Sequence, residues 1–288
     1  MTKCSKVRGF SLVEIAIVMV ILGLTAAMAM TFTSGFRNTQ NRKDTSTRIA
    51  AVDVALANFV LQNKRLPCPA DGAIGTGGAN VGAEQRNGTG DCTTQNRGVV
   101  PWVALGLPES AGTDAWGSRL TYRVPTGANG FTRNLAFDMS SCDPAGSGFV
   151  AAGPPITCQP RVPGLCAANA AGACTTPAAY MANRGLQVQT VGGTPVMSPS
   201  AGTGAAYIVV SAGDNFGGAY SAGGAILAAT SPPMGTGETT NANNQALQAA
   251  YVDDNLIDAA TASHFDDIVS RPSILSVLNK AQLGPRGF

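Results

Sequence analysis

A short basic leader ends at Gly9, and from Phe10 the chain turns apolar for about 20 residues, long enough for a helix to cross the roughly 30 Å hydrocarbon core of a membrane. One acid, Glu14, stands inside that run. An isolated carboxylate at such a depth costs on the order of 2.5–3.5 kcal/mol. No Lys or Arg occurs between Glu14 and Arg37, so a compensating charge is expected from outside this stretch. These few residues restrict the chain more than the rest of the sequence does.

Two ordinary explanations leave part of the pattern unaccounted for. A secretory signal peptide is cleaved after its apolar core, whereas here the break at Arg8-Gly9-Phe10 precedes it. A plain signal anchor uses Lys3, Lys6 and Arg8 as its cytoplasmic flank but has no use for Glu14. The ordered run Gly9-Phe10-Ser11-Leu12-Val13-Glu14 resembles the leader of type IV pilins and type II secretion pseudopilins. That resemblance implies cleavage between Gly9 and Phe10 by a prepilin peptidase, N-methylation of Phe10, and an assembly role for Phe10 and Glu14. In such proteins the carboxylate pairs with the terminal amine of a neighbouring subunit. Glu14 lies four positions beyond Phe10, about 6 Å along a helix axis, and pairing two costly charges both neutralises them and sets axial register. Where many pilins carry a proline that melts the helix, this chain has Thr31, so melting is not implied.

Charge and cysteine usage agree with export. Removing the three leader cations from the formal +2 leaves −1, a balance that gives no nucleic-acid surface. Charged residues make up 12% against roughly 25% in ordinary soluble domains, and small polar residues replace them. Gly 35 and Pro 17 in 288 residues fall short of the ~25–30% that marks disorder, so a folded head is expected. Of seven cysteines, Cys4 leaves with the leader. Cys68, Cys92, Cys142, Cys158, Cys166 and Cys174 remain, an even number that reads as disulfides. Nearest-neighbour pairing (Cys68 with Cys92, Cys142 with Cys158, Cys166 with Cys174) is the preferred arrangement among many. A cysteine metal site is disfavoured by the absence of CxxC and the single histidine, His264.

Within 47–63 the apolar residues Ile49, Val52, Leu56, Phe59 and Val60 recur at helical spacing. Lys64 and Arg65 suit a helix C-terminus, and Pro67 stops continuation. One rod over 10–63, about 80 Å long, is therefore expected, its first part in lipid or against other subunits and its second part packed on the head. A flexible loop should follow to Asn96. Its GTGG and GTGD pieces lack the context of a phosphate-binding loop. Asp114-Ala115-Trp116-Gly117 and the residues to Tyr122 resemble the turn into the first strand of pseudopilin heads, with Trp116 as a buried anchor. Alternation marks strands near 119–124, 131–137, 185–191 and 207–211. A Cys- and Pro-rich insertion occupies about 140–183. A late strand begins at Asp266-Asp267, and a terminal helix over 273–282 should turn Ile274, Leu275 and Leu278 inward. The expected fold class is α+β: a long N-terminal helix, membrane-spanning in its first half, packed on an antiparallel β-sheet head with a disulfide-rich loop insertion. The domains read as leader 1–9, helix 10–63 and head 64–288.

Acids gather late in the chain. The segment Ser211-Ala212-Gly213-Asp214-Asn215-Phe216-Gly217-Gly218 is similar to the loop that supplies calcium ligands in major pseudopilins. That likeness makes Asp214, Asn215, Asp266 and Asp267 a candidate calcium set, since calcium takes six to eight oxygen ligands, often from loops. Tight-turn chemistry accounts for the same residues without an ion, and no other cofactor is expected. For catalysis, His264 lies near Asp266 and Asp267 and serines abound, but no GxSxG occurs and one histidine in a surface-like segment does not place a Ser/His/Asp set, so no enzyme is expected. The resemblance implies a structural subunit, a minor or specialised pilin or pseudopilin. Its partners would be other pilin subunits, the prepilin peptidase and an inner-membrane assembly platform. It would sit as a single-pass inner-membrane protein with a periplasmic head, and after assembly in an extracellular pilus or a periplasmic pseudopilus. The rival reading is an anchored adhesin or binding module that does not polymerise.

Overall fold

The computed structural model describes residues 12–127, 130–134, 136–137, 180–242, 248–257 and 262–283, with the backbone alone for 26–35. Two compact units are present, Met1–Lys43 and Asp44–Phe288. The 52-residue helix α1 (Leu12–Asn63) starts in the first and ends in the second. Lys64 takes a left-handed conformation and Pro67 follows, which is how a helix with no room to continue is brought to a close.

The second unit is an α+β head. Strands β1 (Ala70–Asp71), β2 (Gly98–Val99), β3 (Thr121–Arg123), β6 (Ile208–Ser211) and β8 (Ile268–Ser270) form one antiparallel sheet in the order β1-β2-β3-β6-β8. A smaller sheet has the order β5-β4-β7, from β4 (Val188–Gln189), β5 (Pro195–Met197) and β7 (Tyr251–Val252). Its β4–β7 pair is parallel, so the head is not antiparallel throughout. Two short helices complete it, α2 (Thr236–Asn241) and α3 (Ile274–Lys280).

Period-2 alternation in β6 explains the layering. Tyr207 and Val209 join Leu120, Tyr122 and Val124 in a core closed by Ile49, Val52, Leu56 and Val60 of α1 and by Ile274, Val277 and Leu278 of α3. Ile208 and Val210 face the other way, onto Val188, Met197 and Tyr251 of the small sheet. The main sheet is thus the middle layer between helix and small sheet. Ser273 caps α3 by accepting from the Ser276 N–H, and Leu275, expected inward, sits at the exposed side instead. Four core residues at spacings of three and four are one helical stripe; Leu275 lies off the corresponding stripe of α3.

Three other expectations change. The described part of 131–137 is bends and turns, not a strand. Phe131 and Phe137 meet edge to face at 4.6 Å between centroids, and the segment bonds to the end of α1 through Leu66 N–H to Phe131 O and Phe137 N–H to Lys64 O. The alternating aromatics reflect that local packing. The buried tryptophan is Trp102, while Trp116 is only half-buried. The loop after α1 is tied throughout: Cys68 and Cys92 form a disulfide, Glu84 pairs bidentately with Arg65 at 2.7 and 2.9 Å, and β1 lies within it. Cys142, Cys158, Cys166 and Cys174 fall outside the described residues, as does most of the 140–183 insertion.

Candidate functional site

In the first unit, Leu12 to Thr25 form the described side chains of the apolar stretch. Leu12 is 87% exposed and Met19 69%, and Ile15, Val18, Ile21, Leu22 and Leu24 are exposed on the remaining sides. A helix apolar all round is one whose surface belongs against lipid or other helices. Glu14 lies in its first turn. Gly9 and Phe10 lie outside the described residues. Among the described residues no helix is long and apolar enough to cross a membrane; part of the apolar run falls where side chains are not described.

In the second unit, the lower part of α1 is fastened to the head by polar contacts as well as by its stripe. Asp53 accepts from Tyr207 Oη at 2.9 Å and Ser270 Oγ at 2.7 Å, reaching β8 and the residue before β6. Burial drives the Asp53 carboxyl up, and those two hydrogen bonds only partly offset it. Arg48 donates to the carbonyls of Thr113 and Asp114 at 2.9 and 2.8 Å, and Thr45 Oγ1 accepts from Ala115 N–H at 3.0 Å. Asp114 organises its own turn, accepting from the N–H groups of Trp116 and Ser118 and from Ser211 Oγ. Burial pushes its carboxyl up too. The Asp114-Ala115-Trp116-Gly117 motif therefore works through Asp114, which joins α1, the turn and β6.

A further cluster sits where β6 leaves the main sheet and β8 enters it. The glycine-rich loop 211–218 brings Asp214 N–H to Asp266 Oδ2 at 2.8 Å. Gly213 has φ +65° and a Cβ there would lie 2.4 Å from the Asp266 carboxyl, so the approach requires glycine. Glu238 of α2 accepts from Asp266 N–H at 2.7 Å, Gly235 N–H at 2.8 Å and Asn215 Nδ2 at 3.0 Å. Asn241 donates to Asp267 Oδ2 and spans to β7 through Val252. Of the four residues expected to hold calcium, Asp214 and Asp266 come together with His264, and Asp266 and Asp267 with Glu238. Asn215 spends its amide on Glu238 and on Gly217 N–H. Burial, with Glu238 alongside, raises the Asp266 carboxyl, although hydrogen bonds with the Asp214 side chain and N–H oppose this. Sequence reasoning missed Glu238, Asn241 and His264 as members of this cluster. The available signals were Glu238 three residues after Gly235, the capping position of a short helix, and His264 two residues before Asp266.

Residues 4–30 match the family model described as the prokaryotic N-terminal methylation motif. No curated protein and no solved structure matches the chain. The chain carries the signature of type IV pilin and pseudopilin prepilin-type signals. Such a signal implies processing by a prepilin peptidase, assembly with other pilins and anchoring through the N-terminal helix, and it points to a structural subunit in preference to an enzyme.

Proposed function

We propose that this chain is a structural subunit, minor or specialised, of a type IV pilus or a type II secretion pseudopilus. Residues 1–9 are the leader, 10–63 the membrane and assembly helix, and 64–288 the periplasmic or extracellular head. Prepilin peptidase cuts between Gly9 and Phe10 and Phe10 is N-methylated. An inner-membrane platform then draws the subunit from the membrane into a filament of other pilin or pseudopilin subunits.

One observation carries this reading. A single helix is apolar on every side over its first described turns, with Glu14 among them, and further along donates Ile49, Val52, Leu56 and Val60 to the core of a folded head. Out of lipid, covering such a surface is worth roughly 25 cal/mol per Å² of apolar area. Within lipid that drive is lost, and small residues and polar pairing must select the partner. The amine created at Phe10 and the Glu14 carboxylate of a neighbour are the groups for that task.

Mass spectrometry of the protein from cells tests the processing. A chain beginning at methylated Phe10 supports it; a working form that retains Met1 to Gly9 refutes it. For assembly, Glu14→Ala should leave membrane insertion intact and reduce recovery in sheared filaments at least tenfold. Filaments of normal abundance from that variant, or wild-type protein that stays wholly in the membrane after shearing, would favour the non-polymerising anchored module.

A further inference from the structure

His264 is the chain's single histidine and is 3% exposed. Both ring nitrogens are buried and neither makes a hydrogen bond. A neutral imidazole carries one N–H and one lone pair, and burying both unmet forfeits the hydration of each. The ring nevertheless faces acids. Nε2 lies 3.7 Å from Glu238 Oε1 and 3.9 Å from Asp266 Oδ1, beyond the reach of a hydrogen bond. Asp214, His264 and Asp266 each place a ligand-capable atom within 4.8 Å of the others. The gaps at His264 are too wide for a hydrogen bond and close to what a metal ion spans, because ligands about 2.0–2.1 Å from a tetrahedral zinc stand roughly 3.3 Å apart.

We propose that Asp214, His264 and Asp266 bind a divalent transition ion of the zinc class. The choice among ions follows from the donors. Calcium takes six to eight oxygens, whereas here a buried imidazole offers nitrogen beside two carboxylates, a set suited to borderline ions. Glu238, whose Oε1 faces the same ring nitrogen, and Asp267 flank these ligands and are engaged by other groups. The first is held by the Asp266 and Gly235 N–H groups and the Asn215 amide, the second by Asn241. Asp214 is half-buried on its loop, which leaves a side from which an ion and a fourth ligand such as water enter. The ion ties the loop after β6 to the segment before β8, stretches far apart in sequence, and binding free energy of that kind is added directly to the stability of the head. This inference does not depend on filament assembly.

The test uses the full chain in detergent, with disulfides intact, stripped by chelator and then titrated with Co²⁺, Zn²⁺ or Ca²⁺. One equivalent of Co²⁺ should give the intense visible bands of a four-coordinate site, bleached by Zn²⁺. At a hundredfold excess over its Kd, Zn²⁺ should raise the unfolding midpoint by about 5–10 °C. His264→Asn should lose both effects. If that variant does not fold, Asp214→Asn, on a half-buried loop position, should weaken Co²⁺ binding at least tenfold. Absence of bands and of any Zn²⁺-dependent shift in the unaltered chain overturns the proposal. So does full retention of both in His264→Asn or Asp214→Asn, or a response to Ca²⁺ alone.

Discussion

Replacing Cys68 and Cys92 together by alanine opens a loop of sequence separation 24. Chain-entropy reasoning assigns a cross-link of that length about 3.5 kcal/mol, nearly all of it from restricting the unfolded chain. The loop it closes holds β1, the Glu84 pairing with Arg65 and the Glu84 acceptance of Cys68 N–H. None of these contacts needs the sulfur atoms, so the native loop should survive while the unfolded chain gains freedom. A head of this size loses roughly 2–4 °C in midpoint per kcal/mol, which places the expected fall near 7–14 °C. Thermal unfolding followed by circular dichroism, without reductant, measures it directly. A fall below about 3 °C would refute the reasoning. It would mean that the Arg65–Glu84 pair and β1–β2 pairing already restrain this segment in the unfolded ensemble.

Leu56 is fully buried between α1 and the main sheet, and Leu56→Ala should destabilise the head by about 2–5 kcal/mol in urea unfolding. Val54→Ala, on the exposed side of the same turn, should change little, and equal effects would contradict the packing described. Acid stability reports on Glu84. Burial raises its pKa, but the Arg65 hydrogen bonds and charge, the Cys68 N–H and Arg86 together bring it below the ordinary 4.5. A depressed carboxylate contributes stability that is present above the unfolded value and lost as pH falls through the folded one. Asp53 and Asp114, raised by burial, act with the opposite sign, so the readout is the difference between the unaltered chain and Glu84→Gln. That difference should be largest at neutral pH and shrink below about pH 4.5; a gap independent of pH would rule out the ion pair as its source.

The sequence alone determined the helix and its division of labour, because those signals are local. A continuous apolar run with one acid and a three–four stripe at Ile49, Val52, Leu56 and Val60 need only helical geometry to become an all-round apolar surface and a one-sided core face. Pro67 set the limit of that helix in the same local way. Alternation also found β3 and β6, whose side chains have to divide between two layers. What only the tertiary structure decided was the fate of residues whose partners lie far along the chain. Arg119 and Arg123, charged side chains on β3 or beside it, are both fully buried. Arg119 reaches Glu109 at 2.6 Å and the carbonyls of Gly72, Ile74 and Ala222, which replace the water a charge would otherwise demand. Phe131 and Phe137 fit a strand's alternation, but a strand would hold them roughly 20 Å apart, whereas turns bring their rings to 4.6 Å. The acid and histidine cluster was half legible: Asp214 and Asp266 were implied by the resemblance of the 211–218 loop, and His264 stands two residues before Asp266, but Glu238 enters only because two loops and a short helix converge there. Periodicity is a property of neighbours in sequence, whereas a buried charge or an unsatisfied ring is defined by whatever the fold places beside it.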